Sequence, residues 1–145
     1  RVTGDVRLLE ISDAQQDAFD ADFTDVTFRN AVVDRAGNDC LDVSSGRYIY
    51  LDSVLSRCHD KGVSVGERAT VTFGTSNIRN ATIGFAAKDW SALTVNSARV
   101  TDVDVCASAY RKKQEFGAAT IDVAALDCPV GVLTPAPQSR VTVAP

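Results

Sequence analysis

Four aspartates form two series: Asp17 with Asp39, and Asp20 with Asp42, each pair 22 apart (39 − 17, 42 − 20). If residues at that interval lie over one another, each pair sets two carboxylates side by side. Like charges directly opposite on strands cost about 0.2–1 kcal/mol per pair. A hard cation such as Ca²⁺ would relieve the repulsion, because it prefers carboxylate oxygens; water, salt or Lys61 would screen it as well. A second group is basic: Lys88, Arg111, Lys112 and Lys113, close to Tyr110, on a chain of net charge −4. Such a cluster could hold the carboxylates of a uronic-acid polymer, although a charge run is more commonly a solvated loop. Arg68, Trp90 and Lys112 fall in one further series (90 − 68, 112 − 90), and Trp90 is the single tryptophan. In its polar "KDWS" setting an exposed indole beside cations suits stacking on a sugar face. The plainer reading is an indole capped by Arg and Lys stems. Tyr110 with Lys61 or Arg111 could act as acid and base in β-elimination, provided burial or cationic neighbours depress the base's pKa.

These positions matter only if the chain stacks them, and a repeat says that it does. Asp17, Asp39, Lys61, Ile83 and Val105 follow at a constant interval of 22 (39 − 17 through 105 − 83). Two apolar columns accompany them: Phe19, Leu41, Val63, Phe85 and Ala107, then Ala21, Val43, Val65, Ala87 and Ala109. Between these lies a mostly small or polar column, Asp20, Asp42, Ser64, Ala86 and Ser108. Alternation of period two marks a strand with one face inward, and a fixed longer period marks a stacked architecture. A second apolar pair is expected in each unit: Val26 with Phe28, Ile49 with Leu51, Val71 with Phe73, and Leu93 with Val95. Gly46, Gly66 and Gly74, with Asn30, Asn38 and Asn80, fall between strands, where tight turns favour them. Helical periodicity is arguable only near Asp13 to Asp20.

The prediction is therefore all-β: a single-stranded right-handed parallel β-helix, a solenoid of about six coils with a 22-residue period. Residues 1–16 are a cap or a first partial coil, residues 17–133 the stack, and residues 134–145 a Pro-containing tail or cap. An antiparallel sandwich is the alternative, but it gives no reason for the regular interval. Leu93 and Val95 reappear only as Ile121 and Val123, 28 residues on (121 − 93), which places six extra residues within Tyr110 to Gly117. Insertions in solenoids go to surface loops, often on the binding face. Thr134 to Pro137, "TPAP", is expected to end the stack.

Composition limits the function classes. At 45% hydrophobic and 23% charged, the 145 residues suit one soluble domain. The acidic balance argues against nucleic acid, and no apolar run approaches a membrane span. Arg1 in place of a methionine suits a processed or excised segment. None of the four cysteines, Cys40, Cys58, Cys106 and Cys128, lies in a CxxC pair. An even count in such a chain leans towards disulfides and an oxidising compartment, with four buried thiols as the alternative. The spacing suggests Cys40–Cys58 and Cys106–Cys128. His59, the single histidine, is expected at a surface turn.

The stacked phrases resemble the pectate-lyase-like β-helix superfamily. "DKGVSVGE", "IGFAAKD" and "AYRKKQEFG" are similar to phrases of β-helix segments in large secreted bacterial proteins, which implies that fold and an extracellular setting. "GNDCLDVSSG" followed by "CHDKGVSVG" is similar to paired phrases of polygalacturonase-type glycoside hydrolases. That resemblance implies that Asp17 stands where a water-activating aspartate lies and Asp39 at the second carboxylate of the pair. Asn38 and Lys61 replace that family's proton donor and histidine. An inverting hydrolase needs one protonated and one ionised carboxyl, and the donor is missing.

The leading expectation is a non-catalytic β-helix module of a secreted or cell-surface protein, presenting a face to a polysaccharide or a protein partner. An enzyme of acidic polysaccharide, lyase or hydrolase, is the alternative, with Asp17, Asp39, Lys61 and Arg111 as its catalytic set. A structural spacer or assembly unit is the third class. Flanking domains or oligomer contacts would cover the open ends.

Overall fold

The computed structural model describes residues 2–145. Eleven strands make one sheet wound on itself: β1 (Val2–Ala14), β2 (Phe19–Asp22), β3 (Thr24–Ala36), β4 (Leu41–Ser44), β5 (Arg47–Cys58), β6 (Lys61–Gly66), β7 (Thr70–Lys88), β8 (Ala92–Tyr110), β9 (Thr120–Asp127), β10 (Leu133–Pro135) and β11 (Arg140–Val143). Every strand pairing is parallel. The chain is thus a parallel β-solenoid of about six turns. No helix occurs among the described residues, Asp13 to Asp20 included.

Each coil has three faces. The first stacks β2, β4, β6, the later parts of β7 and β8, and β10. The second and third share one strand per coil, bent where two consecutive residues face outward, as Arg29 and Asn30 do in β3. Inside, the predicted ladder is in register: Phe19, Leu41, Val63, Phe85 and Ala107 pair in turn. Leu41, Val63 and Phe85 are fully buried. On the second face Phe28, Tyr50 and Phe73 stack ring on ring, with centroids 4.8 Å apart and planes 8° and 11° from parallel. That distance is the spacing between neighbouring strands, so the backbone pairing itself sets the aromatic contact.

One apolar pair is corrected. Ile49 and Leu51 were expected inside, but Leu51 is 41% exposed, and Tyr48 and Tyr50 are buried in their place. A shift of one residue reverses every side chain of a strand. The cause is an extra residue. The interval is 22 up to Ser44 and Gly66 (66 − 44) but 23 from Arg47 and Thr70 (70 − 47). The added residue therefore lies in the Gly66–Thr70 corner, one coil later than the expected pairs put it, since they set 23 residues between Val26 and Ile49 (49 − 26) where the strands pair Val26 with Tyr48 (48 − 26 = 22).

The corners are left-handed. Asp13, Arg35, Arg57, Asn80 and Asp102 have φ from 54° to 68° at one corner. Phe23, Ser45, Glu67, Arg68, Asp89 and Trp90 have φ from 43° to 65° at another. Outside glycine and Asn or Asp, this conformation costs about 1–2 kcal/mol per residue. Glycine and asparagine were expected at these turns; Asn80 is left-handed as expected, but Gly131 is the single described glycine with positive φ. Gly46 instead permits close approach: a Cβ there would lie 2.2 Å from the Thr24 carbonyl oxygen.

The insertion falls where the sequence put it. Lys88 pairs with Tyr110 but Ala92 with Thr120, so the interval rises from 22 to 28 (110 − 88, 120 − 92) across residues 111–119. Thr134 to Pro137, by contrast, do not end the stack. Leu133–Pro135 pair with Ala107–Ala109, and Arg140–Val143 pair with Thr120–Val123. Pro135 is tolerated because β10 is an edge strand. Both disulfides form as the spacing suggested, Cys40–Cys58 and Cys106–Cys128.

Candidate functional site

Two adjoining surfaces gather the residues singled out from sequence. The first is the outer side of the first face. Asp17 and Asp39 serve the backbone of the following coil. Asp17 Oδ1 accepts the Asp39 N–H at 3.0 Å and the Asn38 side-chain amide at 2.7 Å, and Asp39 Oδ1 accepts the Lys61 N–H at 3.0 Å. Asp39 is 2% exposed, and burial pushes its carboxyl up, against the opposing pull of Lys61. Lys61 Nζ lies 3.5 Å from Asp39 Oδ1 and also binds Asp60. Burial disfavours its ammonium, but the hydrogen bond to Asp60 and the charges of Asp39 and Asp60 outweigh that, so its pKa goes up. A lysine held charged by two carboxylates is a poor base for β-elimination. The Tyr110 phenol is also pushed up, chiefly by burial.

Asp20 and Asp42 are neighbours in register. Burial first, then Asp42, Asp22 and Asp17, push the Asp20 carboxyl up. For the calcium expectation, the geometry offers no ready-made cluster. Among the described residues no group of three or more His, Cys, Asp or Glu side chains could hold a metal. Asp17 and Asp39 are committed to the backbone, and Lys88 Nζ lies 3.9 Å from Asp42 Oδ1. To reach it, Lys88 runs along the sheet, its Cε 3.6 Å from where a Cβ on Gly66 would stand.

The second surface is a ledge at the corner beside this face. Consecutive left-handed residues occur at two places, Glu67–Arg68 and Asp89–Trp90, on adjacent coils. They put Arg68 against Trp90, with the guanidinium carbon 4.7 Å from the centroid of the indole. The inserted loop closes the other side. Asp89, 1% exposed, accepts the Lys112 and Lys113 N–H groups at 2.7 and 2.9 Å. The Phe116 ring meets Trp90 edge-on at 5.6 Å. Gly117 lies so close that a Cβ would stand 1.8 Å from the indole Nε1. Lys113 is tied to Glu67. Trp90 nonetheless stays 47% exposed.

Of the predicted sugar-binding cations, Lys113 is therefore bound by a carboxylate and Lys88 lies 3.9 Å from one without a hydrogen bond to it, while Arg111 and Lys112 have no side-chain partner among the described residues. Asp89, Phe116 and Gly117 were missed as site residues. Their signal was the position of the insertion, one coil beyond Trp90.

A groove of about 650 Å³ lies at the other left-handed corner, lined by Arg35, Arg57, His59, Asn80, Thr82 and Asp104 among others. It holds none of the predicted catalytic, sugar-binding or metal residues.

The class of protein is thus defined: an all-β parallel solenoid stapled by two disulfides, which point to an oxidising, extracytoplasmic setting. No protein-family model, curated protein or solved structure matches the chain.

Proposed function

We propose that the chain is a non-catalytic binding module of a secreted or cell-surface protein, built on the fold of the pectate-lyase-like superfamily, and that its ledge takes an acidic polysaccharide. One observation carries this reading: a half-exposed tryptophan is held rigidly between Arg68, Phe116 and Gly117 at a strained corner. Single left-handed residues turn the corners throughout this coil, but two in succession occur only at Glu67–Arg68 and Asp89–Trp90 among the described residues, and strain enforced in this way is a mark of functional sites. An immobilised aromatic offers contact area with little entropy to lose, and its apolar face suits a sugar ring.

The enzyme alternative is less favoured, because Lys61 is held charged and Asp39 is tied to the next coil's backbone. The test is an array of neutral, uronate and sulfated glycans. Retention of an acidic glycan that disappears with Trp90→Ala is expected. Absence of retention, or retention indifferent to Trp90→Ala, would overturn the reading. Release of reducing ends or unsaturated products from a uronate polymer would favour the enzyme.

A further inference from the structure

The arginines of this solenoid divide by what they touch. Six, among them Arg29, Arg57 and Arg140, pair with aspartates on neighbouring coils. Arg68 does not. Among the described residues its side chain makes no ion pair or hydrogen bond, and its guanidinium lies 4.7 Å from the Trp90 centroid and 5.6 Å from that of Phe116. Its root is fixed by a φ of 65° and by its N–H, which donates to the Asp89 carbonyl at 2.9 Å. Contact with two rings restrains the guanidinium and leaves its N–H donors without protein acceptors.

An exposed, restrained and unpaired guanidinium has a specific use. Its N–H groups form a rigid planar fork that matches a carboxylate with two parallel hydrogen bonds, which an ammonium cannot copy. The neighbouring acid that would compete, Glu67, is engaged by Lys113. Arg111 and Lys112 carry charge nearby, on the inserted loop. Of the first-face cations, Lys61 pairs with Asp39 and Asp60, and Lys88 points to Asp42, its Nζ 3.9 Å from Oδ1.

We propose that Arg68 is the specificity-determining residue of the ledge, binding the planar carboxylate of a uronate unit through two N–H groups while that sugar or its neighbour rests on Trp90. This rests on the reading of the ledge as a glycan site. It goes beyond that reading by assigning the anion preference to one residue and to its fork geometry, apart from the net charge of the loop.

The experiment measures affinity by calorimetry for a linear uronate tetrasaccharide and for its carboxyl-reduced, neutral counterpart. Wild type should bind the acidic form about tenfold or more tightly, in keeping with a charge-assisted bidentate contact. Arg68→Lys, which keeps the charge and loses the fork, should reduce that ratio by about tenfold; any loosening of Trp90 lowers the affinity for both sugars alike and cancels in the ratio. Lys112→Met, which removes charge from the loop, should reduce the ratio less. An unaltered ratio in Arg68→Lys, or an equal loss in Lys112→Met, overturns the proposal. Equal binding of both sugars by wild type also overturns it while leaving the ledge a glycan site. If neither sugar binds, both readings fall. Arg68 is exposed, and an unchanged tryptophan emission spectrum in Arg68→Lys would verify that the ledge is intact.

Discussion

The Asp89 carboxylate accepts the backbone N–H of Lys112 at 2.7 Å, so that a buried side chain of one coil fixes the start of the loop inserted in the next. The same oxygen accepts the Lys113 N–H. Hydrogen bonds to an ionised acceptor are stronger than neutral ones, and removing the acceptor leaves its donors unsatisfied.

Asp89→Ala should therefore lower stability by roughly 2–3 kcal/mol and release residues 111–119 from Trp90. Denaturant unfolding and tryptophan emission measure the two effects. A red-shifted native emission is expected. Wild-type emission with wild-type stability would show that the loop is held in some other way.

Tyr48 and Tyr50 are both fully buried two residues apart, yet their hydroxyls differ. Tyr48 Oη lies 2.9 and 3.0 Å from the carbonyl oxygens of Ala21 and Ser44, whereas Tyr50 Oη has no hydrogen-bond partner among the described residues. Tyr48→Phe should cost about 1 kcal/mol or somewhat more. Tyr50→Phe should be neutral or stabilising, since it removes a buried unsatisfied hydroxyl and keeps the ring stack. Equal effects in equilibrium unfolding would contradict the side-chain environments described.

The surface carries a pH signal at Asp34. Hydrogen bonds from Arg57 and Ser56 lower its carboxyl from the usual 3.8 to about 2. Because the folded pKa lies below the unfolded value, the contribution to stability is present above about pH 4 and lost as pH falls towards 2. Carbon NMR should find the Asp34 midpoint near 2 in the wild type and closer to 3.8 in Arg57→Met. A midpoint that does not move with Arg57→Met would discount the ion pair.

The disulfides link residues 18 apart in Cys40–Cys58 and 22 apart in Cys106–Cys128. Closing loops of that size restricts the unfolded chain, for about 3 kcal/mol each in the chain-entropy description. Removing either pair as a double Cys→Ala variant should cost about that much, and proteolytic mapping without reduction should recover the two linked peptide pairs. Mixed pairings would contradict the coil register.

How far the sequence reached can be judged at particular residues. Leu41, Val63 and Phe85 were legible as one column because stacked strands must repeat their inward side chains at the interval of the coil. The inserted loop was legible because it interrupts that interval. Ile49 and Leu51 were placed inside in error because the one added residue was put a coil too early, before β5 and not after it, and a slip of one residue reverses a whole strand.

The candidate site was legible in its columns but not in its partners. Arg68 and Trp90 follow at the repeat interval, and their contact agrees with it. Nothing periodic announces that Lys88 reaches Asp42, or that Lys113 reaches Glu67 across 46 positions. By itself the sequence determined which backbone positions of the first face lie over one another, because its inward side chains repeat at the coil interval without interruption from Phe19 to Ala107. The tertiary structure alone decided which charges are neutralised and which remain free. Long side chains choose partners by where the corners and the loop bring opposite charge within reach, and those left-handed corners follow no sequence rule here beyond their place in the coil.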